Sequence, residues 1–442
     1  MSKRLGWLLG VVVLVSIGLL VACGTTYNSS SDGLILVGSQ GSGLIETFSF
    51  NLGSGSASAI GNTPNDTISQ VCVLNGVPSS LVINPAGTYA YAIINANSSC
   101  GSTSATGLLV LKVNSDGTTS AAGSLISFSN ALGVPVVPSK MVIDAAGKFL
   151  FVADRATTNT AGQYVPGAVS VFSIGSGGTV TEVAGSPFIP SPSPMTLPQA
   201  GLDIVDVAAT PTVFPAIGIN GVQNSVCSTA GLPPPTSQYL YAVDGLGNQV
   251  FAFTVNTTSG VLSLITSLTN PQPTDAIPAG VAVDPCNRFV YVSGSKNDRV
   301  SAYTICNGSV TQSTQCPLTP DGTLQPVAGS PFSLSGSPNG PGPLVVDPYG
   351  NYVYVLSTLS NTISPLKIAA VSGALTALNP ATVATGSGPK AIAIRGDDNW
   401  LFVTNFNSPS SLSEYAITPA TGALAAAQTI DTDNYPWGVA VK

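Results

Sequence analysis

Histidine is absent from the 442-residue sequence, and with it go the Ser-His-Asp triad, the imidazole general base and the haem axial histidine. Catalysis, if present, falls to carboxylates, lysine, arginine or tyrosine. Three short polar stretches carry the residue types that hold a charged ligand: Asp154 with Arg155, then Lys296 with Asp298 and Arg299, then Asn405 with Asn407. They are suited to orienting an anionic sugar or a carboxylate. The competing reading makes them solvated charges in local ion pairs, which contribute little to stability. Hydrolytic chemistry asks for a carboxylate whose pKa is raised by burial. Asp154 and Asp298 stand beside cations in polar stretches, which should lower theirs, so the local chemistry favours holding charge over moving protons. The glycine cluster 175–178 resembles a phosphate loop only superficially, because a hairpin turn and not a helix follows it.

Cysteine is the other reactive type. Lys3 and Arg4 precede an unbroken apolar run from Leu5 to Val21, and Leu20-Val21-Ala22-Cys23 resembles the site at which bacterial lipoproteins are acylated and cleaved. Residues 1–22 are expected to be the signal peptide, Cys23 the lipidated N-terminus, and 23–32 a flexible tether rich in Ser and Asn. The alternative is an uncleaved spanning helix. The expected address is the bacterial cell envelope, with the membrane a partner through the lipid alone. Six cysteines remain, at 72, 100, 227, 286, 306 and 316, an even number that suits disulfides in an oxidising compartment. Their spacing and the missing histidine speak against a metal site, and nothing implies a cofactor. A formal net charge of −7 with 13 basic residues leaves no patch for nucleic acid.

The elements that must position these residues emerge as a repeat. Stretches opening at Pro78, Pro138, Pro278, Pro343, Pro389 and Pro436 share a short strand of small or β-branched residues, then a DPxG-type turn, then an aromatic and aliphatic run, with a degenerate copy at Pro198. Spacings of 46 and 47 residues separate the last three starts. Each unit reads as four strands, and runs apolar on both faces need cover on both faces. The expectation is an all-β, seven-bladed propeller over residues 33–442, closed where PWGVAVK at the C-terminus joins strands near 34–37, 44–51 and up to Ile60. In that frame the charged stretches above fall in loops at one mouth of the central channel. The same topology pairs the cysteines as Cys72–Cys100, Cys227–Cys286 and Cys306–Cys316.

FVTN at Phe402 to Asn405, the looser YVSG and FVAD, and VAGSPF at 183–188 and 327–332 resemble the lactonase-like seven-bladed propellers, also described as YVTN-repeat proteins. The resemblance covers roughly residues 32–442 and implies the fold far more specifically than the activity. Lactonising enzymes of this family employ a histidine with Arg and Glu, and the histidine has no counterpart here. A phosphorylated sugar lactone needs cations that this chain hardly has, so 6-phosphogluconolactone is not expected to be hydrolysed. The favoured function is therefore a non-catalytic envelope propeller binding a protein, a glycan or a small anionic ligand at the channel mouth. The alternative is a hydrolase acting on a sugar lactone. Convergent arginine, lysine and carboxylate groups at that mouth would reverse the preference.

Overall fold

The computed structural model describes residues 32–60, 76–97, 105–128, 136–159, 162–190, 201–212, 237–267, 269–306, 316 and 321–442, and two short strands between 216 and 223. Seven antiparallel sheets, each built on a four-stranded core, follow one another along the chain. Their inner strands are Gly76–Ile83, Val137–Ile143, Ile204–Ala209, Pro278–Val283, Pro341–Val346, Pro389–Ile394 and Pro436–Val441, numbered here as blades 1 to 7. Each packs on the next, and that of blade 7 on that of blade 1, so the ring is closed. In blade 7, Asp32–Ser39, Leu44–Asn51 and Ser56–Ala59 complete the sheet begun by Pro436–Val441, with Val37 opposite Val439. The chain ends thus share one blade. Two starts differ from the sequence reading. Blade 5 begins at Pro341 and not Pro343, and blade 3 uses Ile204–Ala209, which has no proline, while Pro198 lies outside the described residues.

The second strands explain why a ring forms. Phe289–Gly294 and Tyr352–Ser357 are buried at every position, which requires a neighbouring sheet on each side. The blades are then clasped in a recurring way. An aromatic ring at the start of one blade's second strand rests on a glycine in the outer hairpin of the next: Tyr352 on Gly422, and likewise Tyr89 on Gly178, Phe149 on Gly260, Tyr239 on Gly322, Phe289 on Gly373 and Trp400 on Gly55. At Gly422 the backbone has φ +69°, and a Cβ would lie 2.4 Å from the Tyr352 ring, so the position admits glycine alone. Buried tyrosines reinforce three clasps, with Tyr241, Tyr291 and Tyr354 each donating its hydroxyl to that glycine's carbonyl at 3.0–3.1 Å. Between blades 7 and 1 the contact is of another kind: Lys442 lies along Gly87 and donates to the Pro85 carbonyl.

Blades 4 and 5 are also joined by charge. Arg288 and Asp284 form a buried pair at 2.8 Å, and the same guanidinium reaches across to the carbonyls of Gly350 at 2.7 Å and Ala370 at 3.3 Å. Cys306 and Cys316 are disulfide-bonded. Cys286 is disulfide-bonded as well, to a cysteine outside the described residues, where Cys23, Cys72, Cys100 and Cys227 all lie.

Candidate functional site

The channel mouth is shaped by a bulge repeated in every blade. Each inner strand carries one or two extra residues against its partner strand near its start, for example between Pro138 and Lys140 and between Pro389 and Ala391. A bulge turns the extra side chain out of the sheet. The extra residues, Ser79, Ser139, Val205, Ala279, Gly342 with Pro343, Lys390 and Trp437, all line one cavity of about 840 Å³ at the ring centre. Hairpin tips and the segments entering the inner strands complete its wall with Leu246, Ile277 and Leu359.

Of the residues singled out from the sequence, Arg155 alone lines this cavity among the described residues. Its partner is not Asp154 but Asp203, which accepts from Nε at 2.7 Å and from Nη2 at 2.6 Å. Asp203 also accepts from the Ala156 amide at 2.8 Å, and its own amide donates to Asp244 at 2.9 Å, so the pair bolts blade 2 to blade 3. Asp154 faces the other way, because successive strand residues point to opposite faces. It is buried, accepts from the Ser170 hydroxyl at 2.6 Å, and burial raises its pKa to about 8, with Glu182 adding to the rise. The expected lowering by a neighbouring cation is therefore reversed.

The other expected ligands sit outside the cavity lining. Lys296 and Arg299 are exposed on the blade 4 hairpin, and Asp298 accepts from the Gly340 amide at 3.2 Å; no ion pair joins the three. Asn405 is fully buried and donates to Ser411 and Ser413 at 3.1 and 2.8 Å, which makes it an internal tie of blade 6. Asn407 is exposed and donates to Ser387 at 3.2 Å.

Lys140, Asp206, Lys390 and Trp437 were not singled out in the sequence. Lys140 and Asp206 stand at the same place after the bulge, on the adjacent inner strands of blades 2 and 3. Burial lowers the Lys140 pKa and Asp206 draws it back up. Burial likewise raises Asp206, to about 6, with Lys140 and the amides of Val281 and Val207 opposing the rise. Those amides donate at 3.0 and 2.9 Å. Across the ring, the Lys390 ammonium lies 4.9 Å from the Trp437 ring and 5.2 Å from that of Phe406. An acidic protein thus gathers three cations, Lys140, Arg155 and Lys390, around one channel. The signal that could have found Lys140, Lys390 and Trp437 is the residue one or two places after a repeat's proline.

Comparison with known proteins places this ring. A model of the lactonase family, described as a seven-bladed β-propeller, matches residues 311–439. A search of curated sequences finds no match. Among solved structures, a putative 6-phosphogluconolactonase from Bacteroides fragilis superposes with a TM-score of 0.64 at 17% identity, covering 93% of this chain and 98% of its own. One from Bacteroides uniformis gives 0.64 at 19% identity, with 93% and 100% covered. The periplasmic gluconolactonase of Pseudomonas aeruginosa gives 0.62 at 17% identity, with 93% and 99% covered. At such identities the likeness is one of fold. The chain folds as a seven-bladed β-propeller, and its residues 311–439 match the lactonase family model.

Proposed function

We propose that the channel mouth hydrolyses a lactone, with Asp206 as general base and Lys140 as the group that stabilises the oxyanion. The observation that carries this reading is their juxtaposition, Lys140 in the cavity wall and Asp206, a carboxylate of raised pKa, at the matching position of the neighbouring inner strand. A base with a pKa near 6 is ionised at neutral pH and still basic enough to take a proton from attacking water. Water adds to the ring carbonyl as its proton passes to Asp206, and negative charge collects on the carbonyl oxygen beside the Lys140 ammonium. The ring C–O bond then breaks, the leaving oxygen recovers that proton, and the hydroxy acid so formed loses its remaining acidic proton to solvent to give a hydroxycarboxylate. Lys390 is well placed to receive the new anion. The fold's lactonase relatives support the reaction class, and the convergence of Lys, Arg and Asp at the mouth reverses the preference for binding alone.

A second reading retains one specific support. Both Asp206 oxygens already accept backbone amides, and Ser80 of blade 1 bridges to the Met141 amide at 3.1 Å from the equivalent position. On that reading Asp206 is a tie between blades and the mouth only holds an anion. Titrating δ-valerolactone hydrolysis in a pH-stat decides between them. The hydrolase reading expects kcat to fall about 100-fold or more in Asp206→Asn, and kcat/KM to rise through pH 6 in the parent. Undiminished turnover in Asp206→Asn, or no turnover in the parent, overturns it.

The proposed setting is the cell envelope, with the chain tethered through acylated Cys23; the bonded cysteines support an oxidising compartment. Fatty-acid labelling should be lost in Cys23→Ser, and label retained there overturns the assignment.

A further inference from the structure

The mouth is made of two unlike halves. Blades 6, 7, 1 and 2 contribute Lys390, Trp437, Gln40, Asn95, Lys140 and Arg155. Blades 3 to 5 contribute mainly apolar groups, Val205, Leu246, Ile277, Pro341 and Leu359; the Asp203 carboxylate there is held by Arg155, and the hydroxyls of Ser295 and Thr358 donate to the carbonyls of Ile277 and Gly340. Leu246, Ile277 and Leu359 are 57%, 53% and 71% exposed. A single exposed leucine carries no meaning. Of the six large apolar side chains exposed among the described residues, however, four line this one cavity, Val137 being the fourth.

The backbone at Ile277 gives a second, independent sign. In blades 4 to 7 the residue before the inner strand's leading proline has a positive φ: Ile277 at 53°, Gly340 and Gly388 at 65°, Tyr435 at 62°. Glycine takes this conformation freely, and blades 5 and 6 use it. For a β-branched residue it is a strained outlier. Ile277 is pinned there by its amide donating to Asn248 at 2.7 Å and its carbonyl accepting from the Ser295 amide and hydroxyl at 2.9 Å. The fold needs only the backbone shape. The isoleucine adds an apolar side chain aimed at the cavity, and strain kept at such a place is a mark of function.

We propose that the mouth takes an amphiphilic lactone or carboxylate, whose polar head meets Lys140 and Lys390 while an unbranched aliphatic substituent lies along Leu246, Ile277 and Leu359. A polyhydroxylated sugar leaves that half of the wall unmatched, since its hydroxyls lose water there and gain no partner. The cavity volume lies in the range that small-molecule sites occupy and leaves space beyond a single six-membered ring. The inference takes its lactone head from the reaction proposed above but concerns the other end of the molecule.

The test is calorimetric titration of the parent protein with hexanoate, octanoate and decanoate below their micellar concentrations, and with gluconate, beside hydrolysis of δ-hexalactone, δ-octalactone and δ-decalactone. Kd for the carboxylates should fall about two- to fourfold per added methylene, with gluconate the weakest. Ile277→Gly should flatten that dependence while leaving the melting temperature unchanged or higher, because glycine relieves the strained backbone. Leu359→Ser should flatten it too. A flat chain-length series, gluconate binding tightest, or an undiminished slope in both variants overturns the proposal. Chain-length-dependent binding without hydrolysis of any lactone leaves it standing and refutes the reaction instead. Hydrolysis with no chain-length dependence does the reverse.

Discussion

Replacing Arg288 by methionine keeps the aliphatic bulk and removes the charge from the buried tie between blades 4 and 5. The guanidinium side chain is 5% exposed and the Asp284 carboxylate 0%, so neither is screened by solvent. Four hydrogen bonds to Asp284, Gly350 and Ala370 are lost together. Breaking such a pair from one side leaves a buried charge uncompensated and costs about 3–5 kcal/mol. With an unfolding entropy of about 2.1 cal/mol/K per residue over about 400 residues, that is a fall of roughly 4–6 °C in Tm. The assay is urea and thermal unfolding of Arg288→Met, Asp284→Asn and the double variant. Asp284→Asn added to Arg288→Met should restore part of the loss, because the lone charge goes with it. A deficit under about 1 kcal/mol, or a double variant no more stable than the single one, refutes the view that this pair joins the blades.

Stability of the parent should itself depend on pH. Burial raises Glu46 and Glu414 to about 7 and Asp154 to about 8. Raised carboxyl groups bind more protons folded than unfolded, so their contribution is full below the ordinary carboxylate range and lost as pH rises through 7 to 8. Tm should therefore fall between pH 5 and pH 8, and a rise over that interval contradicts the assignment. Deleting Trp437 to Lys442 removes the strand paired with 35–39 and should abolish the cooperative transition, whereas an unchanged Tm would disprove closure through blade 7. Converting both Cys306 and Cys316 to serine should cost about 2–3 kcal/mol for so short a loop, read from urea midpoints at constant slope.

The ring was legible because its repeats write the same message seven times, in a short strand and an aromatic run. Closure was legible because PWGVAVK is an inner strand without companions and residues 32–60 are companions without an inner strand. The site was less so. Asp154 and Arg155 adjoin in sequence, yet strand periodicity sends them to opposite faces; that much the alternation itself foretold. Arg155 finds its partner 48 residues away in Asp203, a non-local contact that no spacing rule announces. Lys140 and Lys390 sit in strands expected to be small and apolar, and what brings them to the channel is a bulge set by backbone register, which composition does not record. Asn405, in the motif nearest to the family's signature, turned out to tie strands together, since its amide points into blade 6.

The clasps also bear on the order in which the ring assembles. Five of the six aromatic-on-glycine contacts join a blade to the one that follows it in the chain, so those blades can dock one by one as the polypeptide is made, while the sixth, Trp400 on Gly55, reaches back to the N-terminal hairpin. The last joint is different in kind. Among the described residues it has no such clasp, and its sheet depends on partners at the two ends, as in the Glu46 carboxylate accepting the Asp433 amide across 387 residues. Until Pro436 to Val441 arrives, the strand at 32–39 waits with one edge unpaired, a template on which another chain can pair. Ring closure is thus the step with the longest loop and the greatest hazard of misassembly, and the joint between blades 7 and 1 is where an intact ring should first open.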